Sequence, residues 1–232
     1  MKLRPIVSDL TLKDRVYDCL RDAIAEMDIY REDTDLRLDE RTMAEQLKVS
    51  RTPLREALTR LENEGLIEIR ARKGVFVARK TLGEILEMIV AWAALESMAA
   101  RLATSSASDH DLRELRKHAL RHSESSAHAD LSEYSDANVK FHQMILEMSG
   151  CRLLAQMADG LFVHMHAVRR RALEENDRAS RSVVDHLGII EALEARDADR
   201  AAMLVREHTL RLHSHVRRVW AKLENNQESK AS

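Results

Sequence analysis

The chain has 232 residues, 44% of them hydrophobic and 33% charged, and its formal net charge at pH 7 is −2. This balance is ordinary for a folded protein in water and excludes a chain that is disordered throughout, while the length allows one large domain or two modest ones. Aromatic residues make up only 3%, with 6 Gly and 2 Pro, so the composition favours helices. Charge is uneven: residues 1–40 carry 7 basic and 11 acidic side chains, whereas 41–80 carry 10 and 5.

Nothing in the sequence indicates export or insertion into a membrane. There is no secretory apolar segment and no apolar run near 18 residues, and the two cysteines, Cys19 and Cys151, have no CxxC partner. We therefore expect a reduced, cytoplasmic protein with no membrane segment, in which both cysteines are small core residues.

The first two predicted helices are amphipathic. The first covers residues 10–29, and the second begins after Asp39, whose carboxylate suits an N-cap. Lys48, Val49 and Ser50 form the turn into the next helix, a spacing that predicts a helix-turn-helix. The apolar faces comprise Val16, Leu20, Ala23, Ile24 and Met27 in the first helix and Met43, Ala44 and Leu47 in the second.

The third predicted helix has a defined start, end and pair of faces. Ser50 stands at its N-cap, Pro53 in its first turn and Gly65 just past its C-terminus. One stripe is apolar and predicts packing, whereas the opposite flank suits base edges and phosphates. A solvated face of an ordinary amphipathic helix is the alternative explanation of that flank. The stripe comprises Leu54, Ala57, Leu58 and Leu61, and the flank comprises Arg51, Thr52, Arg55 and Thr59.

Two β-rich segments follow this helix. Residues 66–70 and 75–77 are joined by Ala71, Arg72, Lys73 and Gly74, a hairpin loop of a length that commonly contains Gly. Its basic tip is typical of a wing that contacts a DNA backbone. Together these elements predict a winged helix-turn-helix DNA-binding domain over residues 1–80.

The run LDERTMAEQLKVSRTPLREALTRLENEGLIEIRARKGVFV, from Leu38 to Val77, resembles the N-terminal domain of the GntR family of bacterial transcription regulators. The family usually has glycines and a proline between its first two helices, where this chain has residues 28–35, so that loop departs from the pattern. The resemblance implies a double-stranded DNA operator. It assigns the DNA contacts to Arg41, Arg51, Thr52, Arg55, Lys73 and Gly74.

The rest of the chain carries no strand pattern. Residues 81–232 are predicted to form an all-helical antiparallel bundle, because the breaks between helices are short. Six helices are expected, at 84–104, 109–127, 131–149, 151–175, 180–195 and 198–223. The predicted fold class is therefore mainly α, with an N-terminal winged helix-turn-helix and a C-terminal helical bundle.

Histidine is concentrated in this second domain, since none of the 11 histidines precedes His110. His142, His186 and His208 lie on apolar stripes of three different predicted helices. A single inward histidine is more often a hydrogen-bonded core residue, whereas three in one bundle suit a transition metal. The residues alone leave both explanations open.

The order of these positions resembles the all-helical FCD domain, which follows the winged helix in one large GntR subfamily, and six helices resemble its VanR-type branch. The resemblance implies an effector-binding and dimerisation domain that holds a divalent metal, Zn, Ni or Mn. Asparagine at the first ligand position binds through its carbonyl oxygen and brings no charge. The implied ligands are Asn138, His142, His186 and His208.

One departure concerns the effector. Where the family commonly has an arginine before a Leu-Glu pair, this chain has Trp92 before Leu95 and Glu96. Three neutral imidazoles leave the full charge on a divalent metal, so the expected effector is a small carboxylate. A solvated face or a dimer contact also explains the arginine on the fourth helix of the bundle. The candidate effector-binding residues are Trp92, His164, His166 and Arg169.

We interpret the chain as a ligand-responsive transcription regulator, not an enzyme, that binds an inverted-repeat operator as a homodimer. One alternative is a metal-binding helical-bundle enzyme. Di-iron bundles need Glu-x-x-His motifs, however, and valine stands three residues before each of the three histidines. The other alternative is a constitutive DNA-binding protein whose helical domain is structural, so that no small molecule changes its DNA affinity.

Overall fold

The computed structural model describes residues 11–31, 33–124, 131–172 and 178–231, without the side chains of 122–124, 131–136, 169–172, 178–181 and 221–231. The chain forms two compact units, Met1–Arg79 and Lys80–Ser232, which we call the N-terminal and the C-terminal unit. In the described ranges, no helix combines the length and the apolarity that crossing a membrane requires.

The described part of the N-terminal unit combines three helices with a small antiparallel sheet. The helices are α1 (Leu12–Glu26), α2 (Glu40–Leu47) and α3 (Arg51–Asn63), and the strands are β1 (Arg37–Leu38), β2 (Ile67–Arg70) and β3 (Gly74–Val77). The predicted hairpin pairs Ile67 with Val77 and Arg70 with Gly74. Strand β1 was not predicted, because two residues are too few to show an alternating pattern. It pairs with the other edge of β3, so the sheet order is β1-β3-β2.

The local signals around α2 and α3 form the predicted turn and caps, with one exception. Asp39 accepts a hydrogen bond of 2.7 Å from the backbone N–H of Thr42 and caps α2. Lys48 has φ 53 and turns the chain towards α3. Ser50 occupies the N-cap position of α3, but its side chain makes no capping hydrogen bond. Gly65, with φ 72, ends α3 in the left-handed conformation that glycine adopts without strain.

The core of the N-terminal unit lies between α1, α3 and the sheet. The apolar stripe predicted for α3 is buried in full, and each of its three leucines contributes about 1.5–3 kcal/mol. Cys19 is exposed, contrary to the prediction, because it lies outside the buried stripe of α1. The buried residues are Val16, Tyr17, Leu20 and Ile24 on α1, Leu54, Ala57, Leu58 and Leu61 on α3, and Ile67, Val75 and Val77 in the sheet.

The C-terminal unit is all helical in its described residues, as predicted. Its helices are α4 (Leu82–Ser106), α5 (Asp109–Glu124), α6 (Leu131–Met148), α7 (Arg152–Ala172), α8 (Arg178–Glu194) and α9 (Ala198–Ala231). Helix α9 extends beyond its predicted end, because neither Gly nor Pro interrupts residues 198–231. The mainly α fold class is confirmed.

Helix α4 is the central helix of the C-terminal unit, since it packs against α6, α7, α8 and α9. Small buried side chains allow its neighbours to approach closely; they are Ala93, Ala99, Ala100 and Ala103. Trp92 and Glu96 are buried on the same helix. An indole ring and a carboxylate are thereby placed inside the bundle.

Candidate functional site

A concave surface of the N-terminal unit gathers four of the six residues predicted to contact DNA. Arg41 on α2, Arg51 and Arg55 on α3, and Gly74 at the start of β3 line it together. Thr52 is exposed in the first turn of α3. Guanidinium groups and the start of a helix on one concave face can bind phosphates and the edges of guanine bases.

The sixth predicted contact, Lys73, lies in the turn between β2 and β3. Its backbone N–H donates to the carbonyl of Arg70 at 3.0 Å, and Arg72 and Gly74 have φ 62 and φ 113. This reversal leaves the side chains of Arg72 and Lys73 exposed. The tip of the hairpin is therefore basic and accessible.

Two arginines on the concave surface form ion pairs with carboxylates of α2. Nε of Arg55 donates to Oε2 of Glu40 at 3.0 Å, and Nε of Arg41 lies 3.7 Å from Oε1 of Glu45. Exposed pairs of this kind contribute only about 0–1 kcal/mol. Both arginines can therefore exchange a carboxylate for a phosphate or a base at little cost. Asp39 lines the same surface. The hydrogen bond that it accepts from the backbone N–H of Thr42 lowers its pKa below the ordinary value.

Three buried histidines converge in the C-terminal unit, and we call them the histidine triad: His142 on α6, His186 on α8 and His208 on α9. They are 0%, 5% and 5% exposed, and one ring nitrogen of each lies within 4.8 Å of those of the other two. The ring centroids of His142 and His208 are 5.2 Å apart. Imidazole nitrogens gathered in this way are a donor set that fits a divalent transition metal.

The carboxylate of Glu96 is buried next to the histidine triad. Its Oε1 hydrogen-bonds Nδ1 of His142. Its Oε2 accepts from Nε1 of Trp92 at 2.8 Å and from Oγ1 of Thr209 at 2.9 Å. Because burying a carboxylate is costly without partners, these three contacts explain how Glu96 is held inside an apolar bundle.

A second carboxylate, that of Asp185 on α8, contacts His208. Its Oδ2 lies 3.0 Å from Nδ1 of His208 and accepts from Nε of Arg211 at 3.1 Å. Burial raises the pKa of Asp185, but the hydrogen bonds from His208 and Arg211 and their charges outweigh burial. The pKa of Asp185 therefore lies below its ordinary value, and the ionised carboxylate accepts a hydrogen bond from Nδ1–H of His208.

Asn138, one turn before His142 on α6, lies beside His186. Its Nδ2 donates to Oγ of Ser182 at 3.0 Å and is 3.5 Å from Nε2 of His186. The ring of Phe141 stacks on that of His186, with centroids 3.9 Å apart. The structure thus brings Asn138 to the edge of the histidine triad, next to His186.

The residues predicted to bind an effector occupy different environments. Trp92 is 1% exposed, and its ring lies edge-on to that of His142 with centroids 6.5 Å apart. His164 is buried and His166 half-buried on α7. The side chain of Arg169 lies outside the described residues. Trp92 therefore contacts the histidine triad through His142.

Four polar residues around the histidine triad were not predicted from the sequence: Glu96, Asp185, Ser182 and Thr209. Glu96 had a usable signal, since a carboxylate on the apolar face of a predicted helix needs a buried partner. Asp185 had none, because its partner His208 is 23 residues away on another helix. Which surface of α8 faces α9 is decided by packing.

Comparison with known proteins assigns both units to known domains. The family described as bacterial regulatory proteins, gntR family, matches residues 12–77, and the FCD domain matches residues 87–211. The chain belongs to the GntR family. It is a bacterial DNA-binding transcription regulator that carries an FCD domain, and it is not an enzyme. The metalloenzyme alternative is thereby set aside.

Relatives of this regulator are similar over most of their length. The Nta operon transcriptional regulator of Aminobacter aminovorans is 33% identical over 174 residues, which cover 74% of this chain and 80% of that protein. The HTH-type transcriptional repressor RspR of Escherichia coli (strain K12) is 24% identical over 182 residues, covering 78% and 80%. The structure of E. coli McbR/YncC has a TM-score of 0.78 at 21% identity and covers 91% of this chain and 100% of that chain. This last likeness supports the fold.

Proposed function

We propose that this GntR regulator reads an inverted-repeat operator as a homodimer and responds to a small carboxylate through a divalent metal. Residues 1–80 would bind DNA, and residues 81–232 would bind the effector and dimerise. The protein would act in the cytoplasm, where its operator lies.

The proposed reading element is the exposed flank of α3. Arg51, Thr52 and Arg55 would contact base edges and phosphates in the major groove. The guanidinium group of arginine pairs with the edge of guanine, and the hydroxyl of threonine bonds to donors or acceptors of either kind. Arg41 on α2 would contact the backbone beside them. The hairpin tip, with Lys73 and Gly74, would contact a phosphate without reading sequence. The support is the shared concave surface that Arg41, Arg51, Arg55 and Gly74 line.

The observation that carries the metal proposal is the meeting of three buried imidazoles within 4.8 Å. Neutral imidazole is a good ligand for Zn and Ni, whereas Mn prefers oxygen ligands such as the carbonyl oxygen of Asn138; burial excludes competing water. His142, His186 and His208 would hold the metal, with Asn138 as a fourth oxygen ligand. A metal so bound supplies a Lewis-acidic positive charge inside the bundle.

That positive charge is the reason for proposing a small carboxylate as effector. Trp92 lies against His142 and is proposed to line the effector site, together with His164, His166 and Arg169 from α7. An effector changes operator affinity only by as much as it prefers one arrangement of the protein over another. The proposal therefore requires a measurable difference in operator affinity with and without the effector.

The test is metal analysis of the purified full-length protein, followed by thermal unfolding of metal-stripped protein with added Zn²⁺, Ni²⁺ or Mn²⁺. A ligand at 100 times its Kd stabilises the folded state by about 2.7 kcal/mol. We expect about one metal ion per chain and a higher Tm with at least one of the three ions. Protein that contains no metal and gains no thermal stability from any of them contradicts the proposed centre. Operator binding that no carboxylate alters would favour the constitutive DNA binder instead.

A further inference from the structure

Glu96 occupies a specific place relative to the proposed metal centre. It lies on α4, whereas the histidine triad comes from α6, α8 and α9, and it is not one of the residues whose ligand atoms meet. Its two carboxylate oxygens are used differently. Oε1 faces Nδ1 of His142, and Oε2 accepts from the indole N–H of Trp92 and the hydroxyl of Thr209.

We infer that Glu96 is a positioning residue that fixes the tautomer of His142 and so prepares its Nε2 for a metal. This inference rests on the proposed function. In this assignment Glu96 is ionised and its oxygens only accept hydrogen bonds, so Nδ1 of His142 carries the proton. The lone pair is then on Nε2, the nitrogen that the inference assigns to the metal. Carboxylates that hold ligand histidines in this way raise their basicity and orient their rings.

Trp92 and Thr209 fix the orientation of the Glu96 carboxylate. Both donate to the same oxygen, Oε2, so Oε1 is directed at His142 and the carboxylate cannot turn away without losing two hydrogen bonds. The indole N–H can only donate. Trp92 stands where the resemblance to the FCD domain leads one to expect an arginine. Through Glu96 it supports the tautomer of His142, a proposed metal ligand.

Glu96→Gln gives a sharp test because glutamine has nearly the same shape and volume as glutamate. The amide oxygen must remain against the indole N–H of Trp92, so the amide NH₂ faces Nδ1 of His142. That nitrogen must then accept, the proton moves to Nε2, and the lone pair for the metal is lost. We expect the affinity for Zn²⁺, measured against a chromogenic chelator, to fall at least tenfold, within the roughly 10–100-fold range for residues that support metal ligands.

Two further variants separate this effect from damage to the fold. Glu87→Gln makes the same change at an exposed position of α4 and should bind Zn²⁺ as the wild type does. In Trp92→Phe/Glu96→Gln the amide can turn its oxygen towards His142, because the indole donor is gone. We expect this double variant to recover part of the lost affinity relative to Glu96→Gln, although Trp92→Phe alone should not tighten binding. Circular dichroism shows whether each variant is folded.

The tautomer itself is measured without metal. Long-range ¹H–¹⁵N spectra of metal-stripped protein labelled with ¹⁵N-histidine, with His142 assigned from the His142→Gln spectrum, should show Nδ1–H in the wild type and Nε2–H in Glu96→Gln. Wild-type protein with Nε2–H overturns the inference, as does folded Glu96→Gln that binds Zn²⁺ normally. If the wild type binds no metal, the proposed function fails, yet this spectrum still decides whether Glu96 sets the tautomer.

Discussion

Arg55 on the exposed flank of α3 is ion-paired with Glu40 at the start of α2, with 3.0 Å between Nε and Oε2. Arg55 is 67% and Glu40 33% exposed at the side chain, so the pair is near the surface. In the free protein, a residue proposed to read DNA is thus held by a carboxylate on the neighbouring helix. If Arg55 turns to a base or a phosphate, it must leave Glu40.

Glu40→Gln should therefore increase affinity for DNA of any sequence. Exposed ion pairs are worth about 0.2–1 kcal/mol, which corresponds to about a 1.4-fold to fivefold increase. The measurement is fluorescence anisotropy with operator and with random duplex at several salt concentrations. Glu56→Gln on α3 is the matched control, since Glu56 pairs with Lys13 and does not line the concave surface. Weaker binding of Glu40→Gln than of this control would mean that Glu40 orients Arg55 in the complex.

Substitutions on α3 should alter sequence preference, unlike a substitution in the hairpin. Arg51→Ala and Arg55→Ala should each cost about 1–3 kcal/mol of operator binding and relax base preference at one position. Lys73→Ala should weaken binding to operator DNA and to random DNA by the same factor, because a phosphate contact carries no sequence information. The measurement is binding to an operator and to its single-base variants. An equal loss on all sequences for the three variants would contradict readout by α3.

The oligomeric state follows from the proposed operator. We expect light scattering to give twice the chain mass of 26.6 kDa and footprinting to protect two half-sites related by two-fold symmetry. One reading helix covers few base pairs, so pairing two of them multiplies specificity. A monomer at micromolar concentration with a footprint that lacks symmetry would rule the proposed dimer out.

His208→Ala should abolish metal-dependent stabilisation. The rise in Tm with added metal should disappear, because one of three imidazole ligands is lost, whereas operator affinity without effector should stay within about twofold. His208→Gln fills more of the buried space and guards against loss of the fold. His213→Ala, on the same helix, should keep the metal response. A metal response that persists in both His208 variants would identify the histidine triad as core residues only.

Gly188→Ala should stabilise the protein. Gly188 lies within α8, and apart from its two chain neighbours and the adjoining backbone of α8 no atom of the described residues lies within 4 Å of the place that a Cβ would take. Glycine in a helix interior costs about 1 kcal/mol relative to alanine, so we expect a Tm increase of a few degrees. Gly160→Ala on α7 should behave alike, since its site is equally open. A lower Tm would show that Gly188 is needed for packing.

Much of the N-terminal unit could be predicted because its signals are local. Caps, a turn of three residues, a helical stripe and a hairpin loop each depend on residues a few positions apart, which is the range over which helix and turn preferences act. The exposed flank of α3 follows from the burial of Leu54 and Leu58 on the opposite face. Strand β1 could not be predicted, because its two residues gain their conformation only by pairing with β3.

In the C-terminal unit, the sequence by itself determined that three histidines lie on apolar helical faces. Only the tertiary structure decided that the three imidazole rings meet and which carboxylates hydrogen-bond to them. Glu96 is 46 residues from His142 and 113 from Thr209 in the chain, so their contacts depend on how α4, α6 and α9 are rotated and spaced. Helical periodicity fixes which face of a helix is buried. Which residues of two buried faces come into contact is fixed by the interlocking of side chains across the whole bundle.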